Sequence, residues 1–155
     1  VGGMHALIEN PDEFAKLRGD PGLVNAAVEE VVRWATPVNY MRRRAACDTE
    51  MGGRRIRKDD WLILFYASGN RDEDVFDDPF RFRVDRAPNP HVGFGYGEHF
   101  CLGSHLARRS QRALFAELAR RLEHVELAGE PEWIKSSFVV GLKHLPIRYR
   151  IARGA

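Results

Sequence analysis

The sequence has few cysteines, no long apolar run and almost no excess of charge of either sign. Its two cysteines, Cys47 and Cys101, form neither a C-x-x-C metal knuckle nor a disulfide framework, so a soluble protein of the reducing cytoplasm is expected. The longest apolar run, residues 61–67, is far shorter than the roughly 20 residues that span a bilayer. No basic-then-apolar leader opens the chain, and no membrane partner is expected.

The charge balance also argues against a nucleic-acid partner. Lys and Arg number 24 against 22 Asp and Glu, and a net charge of +2 is too small to predict binding to a polyanion. The arginines are scattered and do not alternate with aromatic residues as a base-stacking surface requires. With 155 residues, 44% of them hydrophobic, the chain is long and apolar enough for one folded core.

The first part of the chain is predicted to be helical. Residues 1–8, which begin with Val rather than Met, read like the end of a helix, and we expect a piece of a longer protein. Asn10 as N-cap and Pro11 in the first turn begin a second short helix. A third helix over residues 23–34 places four apolar side chains on one face: Leu23, Ala27, Val31 and Trp34.

The remainder mixes small strands with one long helix. Strands are predicted over residues 38–41, 49–51 and 61–66, with a hairpin turn at Gly52–Gly53, and again around residues 138–140 and 147–150. A long turn-rich loop covers residues 68–90. The longest helix, over residues 102–122, has a predicted apolar stripe of Leu102, Leu106, Ala113, Leu114, Leu118 and Leu122. Without alternating βαβ units, the order predicts a mainly α, α+β fold.

The segment from His91 to Gly103 carries the strongest chemical signal. Its glycines let the backbone turn tightly beside a flat ligand, and Cys101 precedes a helix whose free N–H groups favour a thiolate. A thiolate is a nucleophile and a soft metal ligand. Taken singly, these features also fit an ordinary turn or anion cradle with a small buried cysteine. A zinc module is another alternative, built from His91, His99, Cys101 and His105.

Taken together, Phe94-Gly95-x-Gly97-x-His99-x-Cys101-x-Gly103 resembles the heme-binding loop of the cytochrome P450 family, in its soluble bacterial members. The resemblance implies heme b as cofactor, with Cys101 as the axial thiolate ligand of the iron and Phe94 beside the sulfur. It implies that amides after Cys101 hydrogen-bond the sulfur and that His99 donates to a heme propionate. The cofactor-binding residues expected from this loop are Phe94, Gly95, Gly97, His99, Cys101, Leu102 and Gly103.

Two further segments resemble the same family. Glu30-Val31-Val32-Arg33 is similar to its E-x-x-R helix, in which the i to i+3 spacing puts both side chains on one face. Asp77–Phe82 resembles the loop whose arginine completes that cluster, which implies a structural network of Glu30, Arg33 and Arg81. Residues 43–53 resemble the following strand and hairpin, which implies a propionate contact for Arg43, with Arg42 and Arg44 as alternatives.

The resemblance runs from about Met4 to Ile151, and it is to the C-terminal part of the family. Residues 1–155 are therefore interpreted as the C-terminal portion of a cytochrome P450 domain. The resemblance implies a heme-thiolate monooxygenase that hydroxylates an apolar small molecule with O2 and electrons from NAD(P)H through a ferredoxin. An inactive heme-binding remnant is the alternative, because the family's distal acid-and-threonine pair falls outside these residues.

The basic start of the long helix is the expected docking surface for the electron donor. Arg108 and Arg112 follow Cys101 on this helix, and ferredoxins are acidic. We expect Arg108 first, and Arg112 second, to bind that partner. An ordinary solvated helix face, with charges that pair along the helix, remains the alternative.

Overall fold

The computed structural model describes residues 1–152, and none of its helices is both long enough and apolar enough to cross a membrane. Three helices come first: α1 (Gly2–Glu9), α2 (Pro11–Gly19) and α3 (Val24–Ala35). A short helix, α4 (Tyr66–Gly69), and the long helix α5 (Ser104–Arg121) follow. As the sequence predicts, Asn10 lies at the N-cap of α2 and Pro11 in its first turn.

Within residues 1–152 the strands form four separate antiparallel pairs. β1 (Tyr40–Arg44) pairs with β4 (Trp61–Phe65), and β2 (Thr49–Met51) pairs with β3 (Arg54–Ile56) through the turn at Gly52–Gly53. Near the end of the described residues, β5 (Leu122–Leu127) pairs with β8 (Ile147–Ile151), and β6 (Glu132–Trp133) pairs with β7 (Leu142–His144). Helices with small antiparallel sheets confirm the α+β prediction.

The core lies where α1, α2, α3 and α5 meet. Leu7, Leu17 and Val28 are almost completely buried there, together with Phe82 from the long loop that follows α4. Burial of each such side chain contributes about 1.5–3 kcal/mol, so this core fixes α3 against its neighbours and carries the loop with it.

Several boundaries differ from those predicted. The first strand begins at Tyr40 rather than Val38, because Val38 forms only an isolated bridge with Val139. That single bridge is also all the strand structure found at residues 138–140, since the chain then turns into β7. Tyr66 leaves the β4 strand and begins α4.

The predicted apolar stripe of the long helix is wrong from Leu102 to Leu114. The helix begins at Ser104 rather than Leu102, and Leu102, Leu106 and Leu114 are 99%, 70% and 53% exposed. Its buried residues are Ser104, Phe115 and Ala119, because small and aromatic side chains form the contact with the other helices. Leu122, just after the helix, is buried as predicted.

Candidate functional site

The segment His91–Gly103, here called the Cys101 loop, folds back on itself between α3 and α5. Its closing contact joins the backbone N–H of Cys101 to the carbonyl oxygen of Phe94 at 2.9 Å. Gly95 has φ +76°, a conformation that side chains disfavour. A Cβ at Gly93 would lie 2.7 Å from Val32, so glycine also permits the loop to approach α3 closely.

A cavity of about 540 Å³ opens beside this loop. Cys101, His99 and Arg43 line it from two separate parts of the chain. Much of its remaining wall is apolar and includes Phe94 together with Val32, Pro37, Val38 and Met41. Of the eight cofactor-binding residues expected from the sequence, five line this cavity: Arg43, Phe94, Gly95, His99 and Cys101. Gly97, Leu102 and Gly103 do not line it.

Strand geometry separates Arg43 from the two arginines beside it. Successive side chains of a strand point to opposite faces, so Arg43 shares a face with Met41, and both line the cavity. Arg42 lies on the other face with its guanidinium 3.7 Å from the ring centroid of Trp61. Arg44 pairs with Asp59 at 3.1 Å. Arg43 is therefore the one of these three arginines whose side chain reaches the cavity.

The environment of the Cys101 sulfur departs from the expectation in one respect. Cys101 is exposed, and across residues 1–152 no hydrogen bond reaches its sulfur. Of the amides that follow Cys101, that of Ser104 donates to the carbonyl oxygen of Cys101, at 3.1 Å, and not to the sulfur. Gly103 lies close by, since a Cβ there would be 3.9 Å from the sulfur.

The zinc alternative finds no support in the geometry. Nowhere in the described part of the chain do three His, Cys, Asp or Glu side chains converge as metal ligands. His91, one of the four proposed ligands, instead places its Nε2 3.0 Å from a carboxylate oxygen of Glu29.

A buried ionic cluster joins α3 to the long loop that follows α4. Glu30 and Arg33, one turn apart on α3, are completely buried and form two hydrogen bonds, 2.7 and 2.8 Å long. Arg33 also donates to the carbonyl oxygens of Asn70 and Pro79, at 2.7 and 2.9 Å. These bonds compensate the large cost of removing both charges from water.

Arg86, rather than Arg81, is the third member of this cluster. The Nε of Arg86 lies 3.1 and 3.2 Å from the two carboxylate oxygens of Glu30, and the residue is 4% exposed. Arg81 is exposed, and the cluster uses only its backbone carbonyl, which accepts from Arg33 and Arg86 at 3.2 and 2.8 Å. The prediction of an Arg81 side-chain contact was wrong because its loop provides no periodicity that would show which arginine turns inward.

Asn70 connects this cluster to the Cys101 loop, and sequence reasoning gave it no role. It is completely buried, its Nδ2 donates to the Thr36 hydroxyl at 2.9 Å, and its Oδ1 accepts from the Val92 amide at 2.8 Å. Beside it, Arg71 lies over the ring of Trp34. Burial, and then the charge of Arg33, lower the pKa of Arg71 to about 10. A polar residue directly after the α4 turn is the only sequence signal for this position.

A second ion pair lies where the Cys101 loop begins, between Glu29 of α3 and Arg108 of α5. Arg108 donates to both oxygens of the Glu29 carboxylate, at 2.7, 2.8 and 3.0 Å. Burial alone would raise the pKa of Glu29, but hydrogen bonds from His91 and Arg108 outweigh it and hold that pKa at about 2. Glu29 is therefore a carboxylate at neutral pH.

This pair changes the expectation for the docking surface. The Arg108 side chain is 21% exposed and held by Glu29, so it is not the free surface charge that the sequence suggests. Arg112, one turn later, is 46% exposed and lies 3.9 Å from the same carboxylate. Of the two predicted partner-binding residues, Arg112 is the more available to an approaching protein.

The sequence also matches a known protein family. Residues 15–151 match the sequence model of the family described as Cytochrome P450. Cytochrome P450-terp of Pseudomonas sp is 44% identical over 148 residues, which are 96% of this chain and 35% of that protein. Linalool 8-monooxygenase of Pseudomonas putida is 47% identical over 141 residues, 91% of this chain and 35% of that protein.

A solved structure shows the same similarity in three dimensions. The crystal structure of CYP108D1 from Novosphingobium aromaticivorans superposes with a TM-score of 0.90 at 45% identity. The match covers 97% of this chain and 37% of that one. The chain thus spans about a third of the length of the curated relatives it matches.

Proposed function

Since this chain belongs to the cytochrome P450 family, we propose that it holds heme b in the cavity beside the Cys101 loop, with the Cys101 thiolate as the iron ligand. The family and its fold imply this cofactor. One observation carries the assignment of residues: Cys101, His99 and Arg43, from two distant segments, line a single cavity with apolar walls.

The chemistry of the cavity fits that group. Heme is a flat apolar ring with two carboxylates at one edge, so its site needs apolar walls, a metal ligand and cationic or N–H donors. Val32, Val38 and Met41 contribute to the walls, Cys101 provides the ligand, and Arg43 and His99 provide the donors. The cavity volume of about 540 Å³ is within the range of about 300–1,000 Å³ that cofactor sites occupy.

Each residue has a distinct part in the proposal. The thiolate of Cys101 would hold the iron, and the bound heme would supply the oxygen-activating chemistry that an electron-donating thiolate favours. Arg43 and His99 bind the propionates and so orient the ring. Phe94 would contribute an apolar wall beside the ring, since it lines the same cavity as Cys101.

The activity proposed for the whole enzyme is a monooxygenase reaction on an apolar small molecule. Electrons come from NAD(P)H through a ferredoxin, and residues 1–155 are the C-terminal portion of the catalytic domain. Two relatives support this class: Linalool 8-monooxygenase of Pseudomonas putida and Methyl-branched lipid omega-hydroxylase of Mycobacterium tuberculosis. A cytoplasmic location remains a prediction from cysteine usage.

The test is isotope transfer in the heme-loaded full-length protein. With NAD(P)H, a ferredoxin and its reductase, and ¹⁸O2 as the oxygen source, a terpene alcohol such as linalool is expected to gain one ¹⁸O atom. The other oxygen atom is expected in water. A protein that binds heme but transfers no oxygen to any member of a panel of terpenes, fatty acids and steroids would instead be the inactive remnant.

A further inference from the structure

We propose that Glu29 is a positioning residue for Cys101. The Glu29 carboxylate holds the Cys101 loop in place through His91 and Arg108, and it balances the charge of Arg108. The inference rests on the proposed function, because it takes Cys101 as the iron ligand. Glu29 directly precedes Glu30 on α3 but points to a different cluster, and neither the family resemblance nor the E-x-x-R pattern assigns it a role.

The Glu29 carboxylate contacts two other segments of the chain. Arg108, from α5, donates to both oxygens through its Nε and Nη2, at 2.7 to 3.0 Å. His91, at the start of the Cys101 loop, places its Nε2 3.0 Å from one of them. The carboxylate is 24% exposed, so these charge-assisted bonds are partly shielded from water. One side chain of α3 thus ties together α5 and the beginning of the loop.

Both partners of Glu29 also contact Phe94 or the backbone next to it. The guanidinium of Arg108 lies over the Phe94 ring, 4.5 Å from its centroid, in cation–π geometry. The Nδ1 of His91 accepts from the backbone N–H of Gly93 at 3.2 Å, and the imidazole ring lies 5.9 Å from that of Phe94. Because Nδ1 accepts, the proton is on Nε2, which donates to Glu29. Glu29 therefore holds, through these two partners, both the ring of Phe94 and the backbone amide of Gly93.

Phe94 in turn contacts the backbone of Cys101. The carbonyl oxygen of Phe94 accepts the backbone N–H of Cys101 at 2.9 Å, so a shift of Phe94 also shifts the backbone that carries the sulfur. The chain of contacts is thus continuous from the carboxylate to the proposed iron ligand. Fixed ligand geometry requires such supporting contacts, since they orient the ligand and set its electron donation.

The charges at this point have a predictable effect on the iron. In the wild type the charge of Glu29 neutralises that of Arg108, whose guanidinium lies over the ring of Phe94, the residue hydrogen-bonded to the Cys101 backbone. Removal of the carboxylate charge leaves an unbalanced cation near the iron ligand, which favours the more negative, reduced state. Removal of the Arg108 charge leaves the Glu29 carboxylate with only the more distant Arg112, at 3.9 Å, as a cationic partner, so the local charge becomes more negative and favours the oxidised state.

The experiment measures the midpoint potential of the heme iron in the heme-loaded full-length protein. Glu29→Gln is expected to raise the potential and Arg108→Gln to lower it, each by a several-fold change in the reduced-to-oxidised ratio. A tenfold change corresponds to about 59 mV for one electron. The double variant is expected to return towards the wild-type potential. The matched control is Glu117→Gln, which removes the same charge from an exposed carboxylate paired with Arg120 and Arg121.

The absorbance spectrum of the reduced, carbon monoxide-bound protein reports whether the Cys101 sulfur is held in position to bind the iron. We expect Glu29→Gln to increase the fraction of complexes that have lost thiolate ligation, and Glu117→Gln to leave it unchanged. The inference would be overturned if the midpoint potentials of both single variants moved in the same direction. It would also be overturned if the reduced-to-oxidised ratio of both variants stayed within twofold of that of the wild type. If Glu29→Gln does not retain heme, Arg108→Gln decides alone by whether it lowers the potential. Absence of a thiolate-type band in the wild type would instead refute the proposed function, and the inference with it.

Discussion

Arg86 and Glu30 form a buried ion pair between residues 56 positions apart, in which one nitrogen, Nε of Arg86, lies 3.1 and 3.2 Å from the two carboxylate oxygens. Arg33 completes the cluster, so two guanidinium groups share one carboxylate. Backbone carbonyls of the loop solvate the remaining positive charge, among them those of Asp77 and Asp78, at 2.6 and 3.0 Å from Arg86. The cluster therefore fixes the long loop against α3.

The first prediction concerns this cluster. Arg86→Ala leaves the loop carbonyls and part of the Glu30 charge without partners in a buried place, so we expect a loss of about 3–5 kcal/mol in unfolding free energy. Arg81→Ala is the matched control, because its backbone carbonyl stays and its exposed side chain is removed. We expect that change to stay within about 0.5 kcal/mol. Urea unfolding of both full-length variants measures the difference, and equal losses would contradict the assignment of Arg86.

The second prediction concerns acid stability. The pKa of Glu29 is about 2 in the fold against an ordinary value of 4.5, so its contribution is complete above pH 4.5 and is lost as the pH falls towards 2. His91, Arg108 and Arg112 are the charged or titratable groups that face it. Glu29→Gln is expected to cost about 1–3 kcal/mol at pH 7, allowing for partial exposure.

Urea unfolding of the wild type and Glu29→Gln at pH 7, 5, 4 and 3 provides the measurement. The gap between the two proteins is expected to be constant from pH 7 to 5 and to narrow below pH 4.5. A gap that widens on acidification would show that the carboxylate is not stabilised as an ion.

The third prediction concerns heme retention. Arg43 lines the cavity, whereas Arg44 on the other face of β1 pairs with Asp59. Arg43→Ala removes a charge-assisted bond worth about 1.5–3 kcal/mol, so we expect heme affinity to fall about tenfold to a hundredfold. Arg44→Ala removes the same charge and is expected to change affinity less than twofold. Transfer of heme to excess apomyoglobin measures both, and equal effects would point to net charge rather than to a propionate contact.

The fourth prediction concerns electron delivery. Arg112 is 46% exposed on α5, while Arg120 lies two turns further along the same helix and pairs with Glu117. Arg112→Glu is expected to slow reduction by ferredoxin several-fold at low salt, with a smaller effect at high salt. Arg120→Glu changes the net charge equally and is expected to leave the rate unchanged. Stopped-flow reduction measures both, and equal slowing would place docking elsewhere.

The parts of the site with fixed local spacing could be predicted from the sequence. Phe94, His99 and Cys101 belong to one short loop, and Glu30 and Arg33 lie one helical turn apart, so spacing alone brings each set together. Arg43 could not be separated from Arg42 and Arg44 until the register of β1 was known. The alternation of side chains in that strand settles which of the three reaches the cavity.

The contacts that join distant segments could not be predicted. Arg86 comes from a loop without periodicity, where Arg81 and Arg83 are equally plausible by composition. Asn70 and Glu29 act through partners on other elements, and no motif marks such partners. The exposed leucines at and just before the start of α5 mislead for a related reason. An apolar stripe predicts a buried face, whereas Leu102 and Leu106 lie on the surface of this chain.

The central claim is that the thiolate of Cys101 binds heme iron, and Cys47 offers a matched control because it is the other cysteine and is also exposed. The most direct measurement is the absorbance spectrum of the reduced, carbon monoxide-bound full-length protein. The account predicts the red-shifted Soret band of thiolate ligation in the wild type and in Cys47→Ser, and its loss in Cys101→Ser. A thiolate-type band that survives in Cys101→Ser, or disappears in Cys47→Ser, would contradict it.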